Sequence, residues 1–178
     1  QSVKEKKSDI VISAGNTGAL LVISKLNLKM IENIDKPALS ALWPNKMNMS
    51  VVLDLGANIE CSPKNLIDFS LMGSALFKSL YPDDTAKVAL LNIGSEELKG
   101  NEIIKETYQQ LNQKNNTGFK FKGYIEGNQL MNGDVNVIVA DGFTGNVALK
   151  TAEGTANFIT SELKKAMTGN IIGKISSL

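Results

Sequence analysis

The sequence predicts a three-layer α/β/α fold around a doubly wound, mostly parallel sheet. Two observations predict it: short apolar runs alternate with segments of helical spacing, and glycine-containing turns join the two. Strands of a parallel sheet are buried on both faces and therefore appear as continuous apolar runs, whereas helices form the connections between them. Because a chain of 178 residues is long enough for one sizeable core, we expect a single α/β domain over residues 1–178.

The first half of the chain contains three predicted strands and two predicted helices. The first helix is expected in "ALLVISKLNLKMI", after the turn that follows the first strand. The second is expected from Pro63 to Leu80 with Ser62 as its N-cap, because serine caps helices well and proline suits a first turn. The predicted strands are 9–14, 37–43 and 50–55.

The second half of the chain repeats this alternation. A helix is expected from Glu102 to Gln113, closed by "NNTG", and a last long helix follows "DGFTGN". The run "FKFKGYI" alternates apolar and polar residues, which is typical of an edge strand. The predicted strands are 87–93, 119–125 and 135–140.

The composition excludes several kinds of chemistry. With no histidine and one cysteine, the chain can form no Ser-His-Asp or Cys-His catalytic group, no histidine-ligated zinc site and no internal disulfide. A net charge of +1 does not indicate nucleic-acid binding. The apolar runs, about 6 to 8 residues long, are too short to span a membrane. The start, "QSVKEKKSD", has neither an initiator methionine nor the pattern of a signal peptide, so we expect a fragment or a processed form.

Four glycine-containing turns are expected at the carboxyl ends of the strands, where open parallel sheets bind ligands. Glycine allows the backbone close to a ligand, and the helix after each turn presents unpaired N–H groups with a partial positive charge. Such an edge suits phosphate or a phosphoester, although the sequence contains neither a P-loop nor a dinucleotide fingerprint. The turns are Gly15–Gly18, Asp54–Asn58, Gly94–Asn101 and Asp141–Asn146.

A lysine and two asparagines are the candidate ligands of that anion. Lys99 lies beside Gly100 in a strand-end turn, and its ammonium group either pairs with phosphate or is solvated like most surface lysines. Asn16 and Asn146 either donate amide hydrogen bonds to a phosphate or an oxyanion, or cap the helices that follow them.

Three other polar residues are expected to have structural roles. Asp54 and Asp141 end their strands and have no histidine partners, so we expect them to accept hydrogen bonds from backbone N–H groups of the turns rather than to hold a metal. Cys61 has no histidine to activate it as a nucleophile, which favours an inert, partly buried thiol. We therefore expect no metal and no cofactor.

Several motifs, in a consistent order, resemble one family. They are "SAGNTGALL", "DKPALSALWP", "VLDLGAN", "LLNIGSEELKGNE" and "VIVADGFTGNVALKTAEG", and they extend from about Asp9 to Gly154. On these motifs the chain resembles the PlsX family of phosphate acyltransferases, which act in bacterial phospholipid synthesis. Members of that family are nearly twice as long and contain an N-terminal "DAMGGD" segment that is missing here. The resemblance therefore implies an incomplete portion of a longer enzyme.

The resemblance implies a reaction and its partners. Acyl-[acyl-carrier-protein] and inorganic phosphate would give acyl phosphate and free carrier protein, and a glycerol-3-phosphate acyltransferase would use the acyl phosphate. The resemblance further implies a Rossmann-like fold related to isopropylmalate dehydrogenases and phosphotransacetylases. It implies a cytoplasmic homodimer that associates peripherally with the inner face of the membrane, and no nucleic-acid partner.

The resemblance also implies site residues. The lysine of "KGNE" and the asparagine of "GFTGN" assign catalytic roles to Lys99 and Asn146, and it stays open which holds phosphate and which polarises the thioester. Phe143 either shields the acyl chain or thioester from water or packs under its turn. The expected phosphate- or substrate-binding residues are Gly15, Asn16, Thr17, Gly18, Asn58, Gly100, Asn101, Gly142, Phe143, Thr144 and Gly145.

Two other functions stay open. One is a short-chain phosphotransacetylase-like enzyme that uses acyl-coenzyme A, and the other is a non-catalytic dimerising fragment. An acidic carrier protein would need a basic docking surface, which Lys25, Lys29, Lys36 and Lys46 provide unless they are ordinary solvated lysines. The terminal "GNIIGKISSL" is apolar enough to begin an amphipathic helix but too short to bind a bilayer.

Overall fold

One sheet organises the part of the chain that this computed structural model describes, residues 1–113 and 118–168. Its strands are β1 (Ser40–Pro44), β2 (Met49–Leu53), β3 (Lys87–Asn92), β4 (Lys120–Glu126) and β5 (Val137–Val139). They lie in the order β1-β2-β5-β3-β4; β1 is antiparallel to β2, and the other neighbours are parallel. The predicted α/β class with a mostly parallel sheet is therefore confirmed.

Along the described chain, four helices alternate with the strands or follow them. They are α1 (Thr17–Asn27), α2 (Pro63–Leu80), α3 (Glu102–Gln113) and α4 (Gly142–Thr168), with a short 3₁₀ turn at Gly127–Gln129. The bounds of α2 and α3 agree with the prediction. Ser62 Oγ accepts a hydrogen bond from the Asn65 N–H at 3.3 Å and Asn65 Oδ1 accepts one from the Ser62 N–H at 3.0 Å, so the predicted cap of α2 is also confirmed.

The hydrophobic core lies between the sheet and the helices α2 and α3, which also contact each other. Phe69 and Leu66 of α2 are 0% and 1% exposed, and full burial of one such side chain contributes about 1.5–3 kcal/mol. Gly73 allows α2 so close to the sheet that a Cβ added there would lie 2.6 Å from side-chain atoms of both Leu53 and Val137. This packing fixes the start of α2 near the turn that follows β2.

The last strand of the sheet order, β4, is an edge strand as predicted. All of its side chains except that of Ile125 are at least partly exposed, whereas those of β5 are all buried. The predictions for "NNTG" and "GNIIGKISSL" fall largely or wholly on residues 114–117 and 169–178, outside the described ranges.

The prediction of a strand at 9–14 is wrong. Ile10, Val11 and Ile12 are 72%, 61% and 89% exposed and belong to no strand. A strand needs a neighbour to pair its backbone N–H and C=O groups, and none of the described strands pairs with this segment. The apolar composition indicated burial but not the partner. The turn Gly15–Gly18 therefore follows no strand and leads into α1, which has no buried side chain.

Two units divide the described chain. The first, Gln1–Gly145, contains the sheet and helices α1 to α3, and the second begins at Asn146. The helical residues of the second unit have largely exposed side chains, among which Lys150 pairs with Glu153 at 2.8 Å and Lys165 with Glu162 at 2.6 Å.

None of the described helices combines the length and the apolar character that a membrane crossing requires.

Candidate functional site

A cleft of about 950 Å³ lies within the first unit, where the parallel strands end. Its lining includes Asn101 and Asp141, from two of the four predicted turns, and the segment 59–63 that follows a third. Parallel pairing of β2, β5 and β3 brings these parts of the chain to the same edge. No residue of Gly15–Gly18 is among the described residues that line the cleft.

Three helices begin at the rim of this cleft. Ser62 caps α2, and Asn101 Oδ1 accepts a hydrogen bond from the Ile104 N–H at 2.9 Å at the start of α3. At the start of α4, Asp141 Oδ1 accepts one from the Thr144 N–H at 2.8 Å. Each helix N-terminus carries a partial positive charge, so their convergence favours an anion in the cleft.

The Asp54 carboxylate organises the turn after β2. It is fully buried and accepts hydrogen bonds from the backbone N–H groups of Leu39, Gly56, Ala57 and Asn58 at distances between 2.8 and 3.2 Å. The Asn58 side-chain amide donates another at 2.7 Å. Hydrogen bonds to an ionised acceptor are roughly twice as strong as neutral ones. The predicted structural role of Asp54 is therefore confirmed.

Asn58, a predicted binding residue, is used in the fold. Its amide group donates both to the Asp54 carboxylate and to the Pro37 carbonyl oxygen, each at 2.7 Å. Its own carbonyl oxygen accepts hydrogen bonds from the Gly142 N–H at 2.8 Å and from the Cys61 thiol at 3.6 Å. Asn58 thus joins the turn after β2 to the segment before β1 and to the start of α4.

Two glycines of "DGFTGN" are buried against protein backbone. A Cβ at Gly142 would lie 2.6 Å from the Asn58 carbonyl oxygen, and a Cβ at Gly145 would overlap the Asp54 carbonyl oxygen. The Gly145 N–H donates to the Asp141 carbonyl oxygen at 2.9 Å. Close packing of the first turn of α4, residues 142–145, on the turn after β2 is sufficient reason for both glycines, and their contact with phosphate stays a prediction.

An apolar lip, formed by Ile59, Ile103 and Phe143, borders the rim where the helices begin. These side chains are 72%, 39% and 63% exposed although they line the cleft. Phe143 therefore does not pack under its turn. Exposed apolar surface beside convergent polar groups is typical of a ligand-binding site.

The loop after β3 is held by the strand that precedes it. Asn92 Nδ2 donates to the carbonyl oxygens of Gly94 and Lys99, at 3.2 and 3.1 Å. Gly100 has φ +95°, and a Cβ there would lie 2.6 Å from Asn92 Oδ1, so this position requires glycine. Lys99 is exposed and is not among the described residues that line the cleft, whereas Asn101 of the same loop is.

Two tyrosines hold the same loop from α3 and β4. The Tyr108 hydroxyl donates to the Glu97 carboxylate at 2.8 Å, and the Tyr124 hydroxyl donates to the Glu97 carbonyl oxygen at 3.5 Å. The bond to the carboxylate raises the pKa of Tyr108, and burial raises the pKa of Tyr124. Both hydroxyls therefore stay protonated, and remain donors to the loop, at neutral pH.

Residues 33–37, which precede β1, also contribute to the wall of the cleft, and this segment is called the strap. Lys64 of α2 pairs with Asp35 at 2.9 Å and Asp68 at 2.8 Å, and it donates to the Asn33 carbonyl oxygen at 2.8 Å. The hydrogen bonds to Asp68 and Asp35 raise the pKa of Lys64. These contacts hold the strap against the first turn of α2.

Lys36 of the strap lines the cleft, although the sequence placed it in a docking surface with Lys46. Because β1 is antiparallel to β2, residues before β1 lie beside residues after β2, whereas Lys46 follows β1 at the opposite end. The two lysines therefore lie at opposite ends of β1, and a docking surface that joins them stays a prediction. A signal was present: the connection between predicted strands 37–43 and 50–55 is too short for a parallel crossover, which needs a dozen or more residues.

The model of one protein family, described as fatty acid synthesis protein, matches residues 1–178. The chain belongs to the fatty acid synthesis protein family. Two relatives named phosphate acyltransferase are similar to it. The one from Pelagibacter ubique (strain HTCC1062) is 94% identical over 178 residues, which cover 100% of this chain and 54% of the relative. The one from Maricaulis maris (strain MCS10) is 43% identical over 177 residues, which cover 99% and 50%. The chain spans about half the length of these curated relatives.

Two solved structures resemble this chain in fold. A phosphotransacetylase from Streptococcus pyogenes has a TM-score of 0.65 at 18% identity, over 87% of this chain and 53% of that one. The EutD phosphotransacetylase from Staphylococcus aureus has a TM-score of 0.57 at 14% identity, over 83% and 49%. At these identities the similarity establishes the fold alone, and it confirms the expected likeness in fold to phosphotransacetylases.

Two asparagines that the sequence predicts in the site lie outside the cleft lining described above. Asn16 Oδ1 accepts a hydrogen bond from the Ala19 N–H at 3.0 Å, so Asn16 caps α1. Asn146 is exposed within α4 and is the first residue of the second unit.

Cys61 also lines the cleft, but its surroundings keep it a thiol. The side chain is 6% exposed, and its Sγ–H donates to the Asn58 carbonyl oxygen at 3.6 Å. Burial raises the pKa of the Cys61 thiol above its ordinary value. Because the thiolate is the reactive form, the predicted inert cysteine is supported.

Alkylation of Cys61 is expected to be slow in the folded chain. A raised pKa lowers the thiolate fraction at pH 7 to 9, so iodoacetamide should react more slowly than with a free cysteine derivative, and the rate should rise only at more alkaline pH. Mass spectrometry after timed alkylation measures the rate, and the same chain unfolded in urea is the control. A folded chain that reacts as fast as the unfolded one would contradict the burial of this thiol.

Proposed function

We propose that the cleft is the catalytic site of an acyltransferase that makes acyl phosphate from acyl-[acyl-carrier-protein] and inorganic phosphate. One observation carries the proposal: three helix N-termini favour an anion beside an apolar lip that suits an acyl group. The relatives' name, phosphate acyltransferase, supports the same class of reaction.

The proposed reaction needs no nucleophile from the protein. An oxygen of hydrogen phosphate attacks the thioester carbonyl carbon, a C–O bond forms, the C–S bond breaks, and the proton of the phosphate ends on the carrier thiol. The protein has to position phosphate against the thioester and stabilise the oxyanion of the tetrahedral intermediate. A sequence without histidine and a protonated Cys61 thiol agree with this chemistry.

The proposed catalytic residues are Lys99 and Asn146. Their roles rest on the resemblance of "KGNE" and "GFTGN" to the phosphate acyltransferase motifs: one holds phosphate and the other polarises the thioester carbonyl. Among the proposed binding residues, Asn101, Phe143 and Thr144 have the strongest support because they line the cleft.

The proposed partners and location also rest on the resemblance. The enzyme is a cytoplasmic homodimer that associates peripherally with the inner face of the membrane, takes its acyl group from the carrier protein and supplies a glycerol-3-phosphate acyltransferase. Residues 1–178 act as a single α/β portion of it. In the second unit, Phe158, Ile159 and Leu163 are 66%, 58% and 57% exposed at helical spacing, which supports an association surface.

A chimeric protein, called the full-length graft, tests this function. In it, these 178 residues replace the matching residues of the Pelagibacter ubique relative. We expect palmitoyl-carrier protein and phosphate to give acyl phosphate, trapped as the hydroxamate, and acetyl-coenzyme A to give none. Product from acetyl-coenzyme A alone would favour a phosphotransacetylase-like enzyme. Product from neither donor, in a graft with the expected circular dichroism, would contradict both enzymes and favour a non-catalytic role.

A further inference from the structure

Lys36 places a positive charge in the lining of the cleft. Among the described residues that line the cleft, it alone has a cationic side chain. Lys99, the cation that the sequence selects, is not part of this lining. A cleft that holds a phosphate dianion needs a charge to offset it, and Lys36 is the side chain in place to supply it.

The backbone on both sides of Lys36 is fixed. On one side, Asp35 pairs with Lys64 at 2.9 Å, and on the other, the Pro37 carbonyl oxygen accepts a hydrogen bond from Asn58 Nδ2 at 2.7 Å. Proline at the next position also restricts Lys36 to an extended backbone conformation. The ammonium group is therefore presented from an ordered strap.

The Lys36 ammonium retains its capacity for an anion. Its Nζ donates to a neutral acceptor, the Glu60 carbonyl oxygen, at 2.8 Å. None of the ion pairs found among the described residues includes Lys36. An ammonium group has three N–H donors, so two remain for a ligand. Two of the three carboxylates in the cleft lining have other partners: Asp35 binds Lys64, and Asp141 accepts from the Thr144 N–H and hydroxyl at 2.8 and 2.9 Å. The third belongs to Glu60, which is exposed and whose carbonyl oxygen is the acceptor of the Lys36 hydrogen bond.

We propose that Lys36 binds the inorganic phosphate substrate in the cleft. This inference rests on the proposed function for the reaction, but the binding itself does not depend on turnover. It assigns Lys36 to substrate binding and not to docking of the acidic carrier protein.

Three variants of the full-length graft test this assignment: Lys36→Met, Lys36→Arg and, as the matched control, Lys78→Met, which removes an exposed lysine outside the cleft lining. Lys36→Met is expected to raise KM for phosphate about 10- to 100-fold, as for loss of one hydrogen bond between charged groups. Its kcat and its KM for acyl-carrier protein should stay near those of the unsubstituted graft. Lys36→Arg, which keeps the charge, should restore most of the phosphate affinity, and Lys78→Met should have no effect.

Calorimetric titration of each graft with inorganic phosphate, without an acyl donor, separates this inference from the proposed function. If the unsubstituted graft makes no acyl phosphate but binds phosphate through Lys36, the function fails and the inference stands. If Lys36→Met binds phosphate as tightly as the unsubstituted graft, the inference is overturned whatever the activity. An increase in KM for acyl-carrier protein in Lys36→Met but not in Lys78→Met, with KM for phosphate unchanged, would overturn it in favour of a docking surface.

Discussion

Replacement of Asn146 by alanine is expected to reduce kcat of the full-length graft about 10²- to 10³-fold, the usual effect of losing one oxyanion donor. Because Asn146 is exposed, the melting temperature should not change. Asn157→Ala, which removes another exposed amide from the same helix, is the matched control and should keep full activity. The rate of acyl phosphate formation at saturating phosphate measures both variants.

A near-normal kcat in Asn146→Ala would exclude Asn146 from the mechanism. If kcat falls as expected, Lys99→Met assigns the two roles that the resemblance leaves open. A higher KM for phosphate with little change in kcat would place phosphate on Lys99, whereas a lower kcat at constant KM would place Lys99 at the thioester carbonyl.

The largest effect on stability is expected from Gly145→Ala. The added methyl group would overlap the Asp54 carbonyl oxygen, which belongs to the backbone and cannot rotate away as a side chain would. Any shift of the turn after β2 would also disturb the hydrogen bonds of the buried Asp54 carboxylate. We expect the free energy of unfolding to fall by about 3 kcal/mol, the upper part of the range for overpacking.

Gly154→Ala is the matched control for this substitution. It makes the same change in the same helix, but apart from the adjoining backbone of that helix no atom of the described chain lies within 4 Å of the added Cβ. Since alanine favours helix more than glycine does, the control should raise the free energy of unfolding by about 0.5–1 kcal/mol. Urea unfolding of both grafts, followed by circular dichroism, measures the difference. Similar free energies of unfolding for the two variants would mean that the contact at Gly145 does not affect stability.

Helices of this chain are predictable from local signals, whereas one strand is not. Ser62 and Pro63 set the start of α2 through capping and a fixed φ, both of which act within a few residues, and the predicted bounds agree with the structure. The run 9–14 is as apolar as runs that do form strands, but it has no pairing partner among the described strands. Strand pairing is a contact between distant parts of a chain, so the composition of one segment does not identify its partner.

The place of the candidate site was predictable from the sequence, but the lysine that lines it was not. Turns at the carboxyl ends of parallel strands indicated the correct edge of the sheet, and the aspartate at the end of β2 was correctly given a structural role. A glycine beside a ligand and a glycine beside backbone both lack Cβ for steric reasons, so the sequence does not distinguish the two at Gly142 or Gly145. Lys36 was missed because its position depends on the direction of β1.

The antiparallel direction of β1 also makes the molecule easy to attach to a surface. The hairpin between β1 and β2 lies one strand length from the cleft edge, about 17 Å for five residues. Met47 in this hairpin is 79% exposed, and Cys61 reacts poorly because its thiol is buried and protonated. A fluorophore or a sensor chip coupled through Met47→Cys would therefore leave the cleft open to solution, so that phosphate binding can be followed optically without a label in the site.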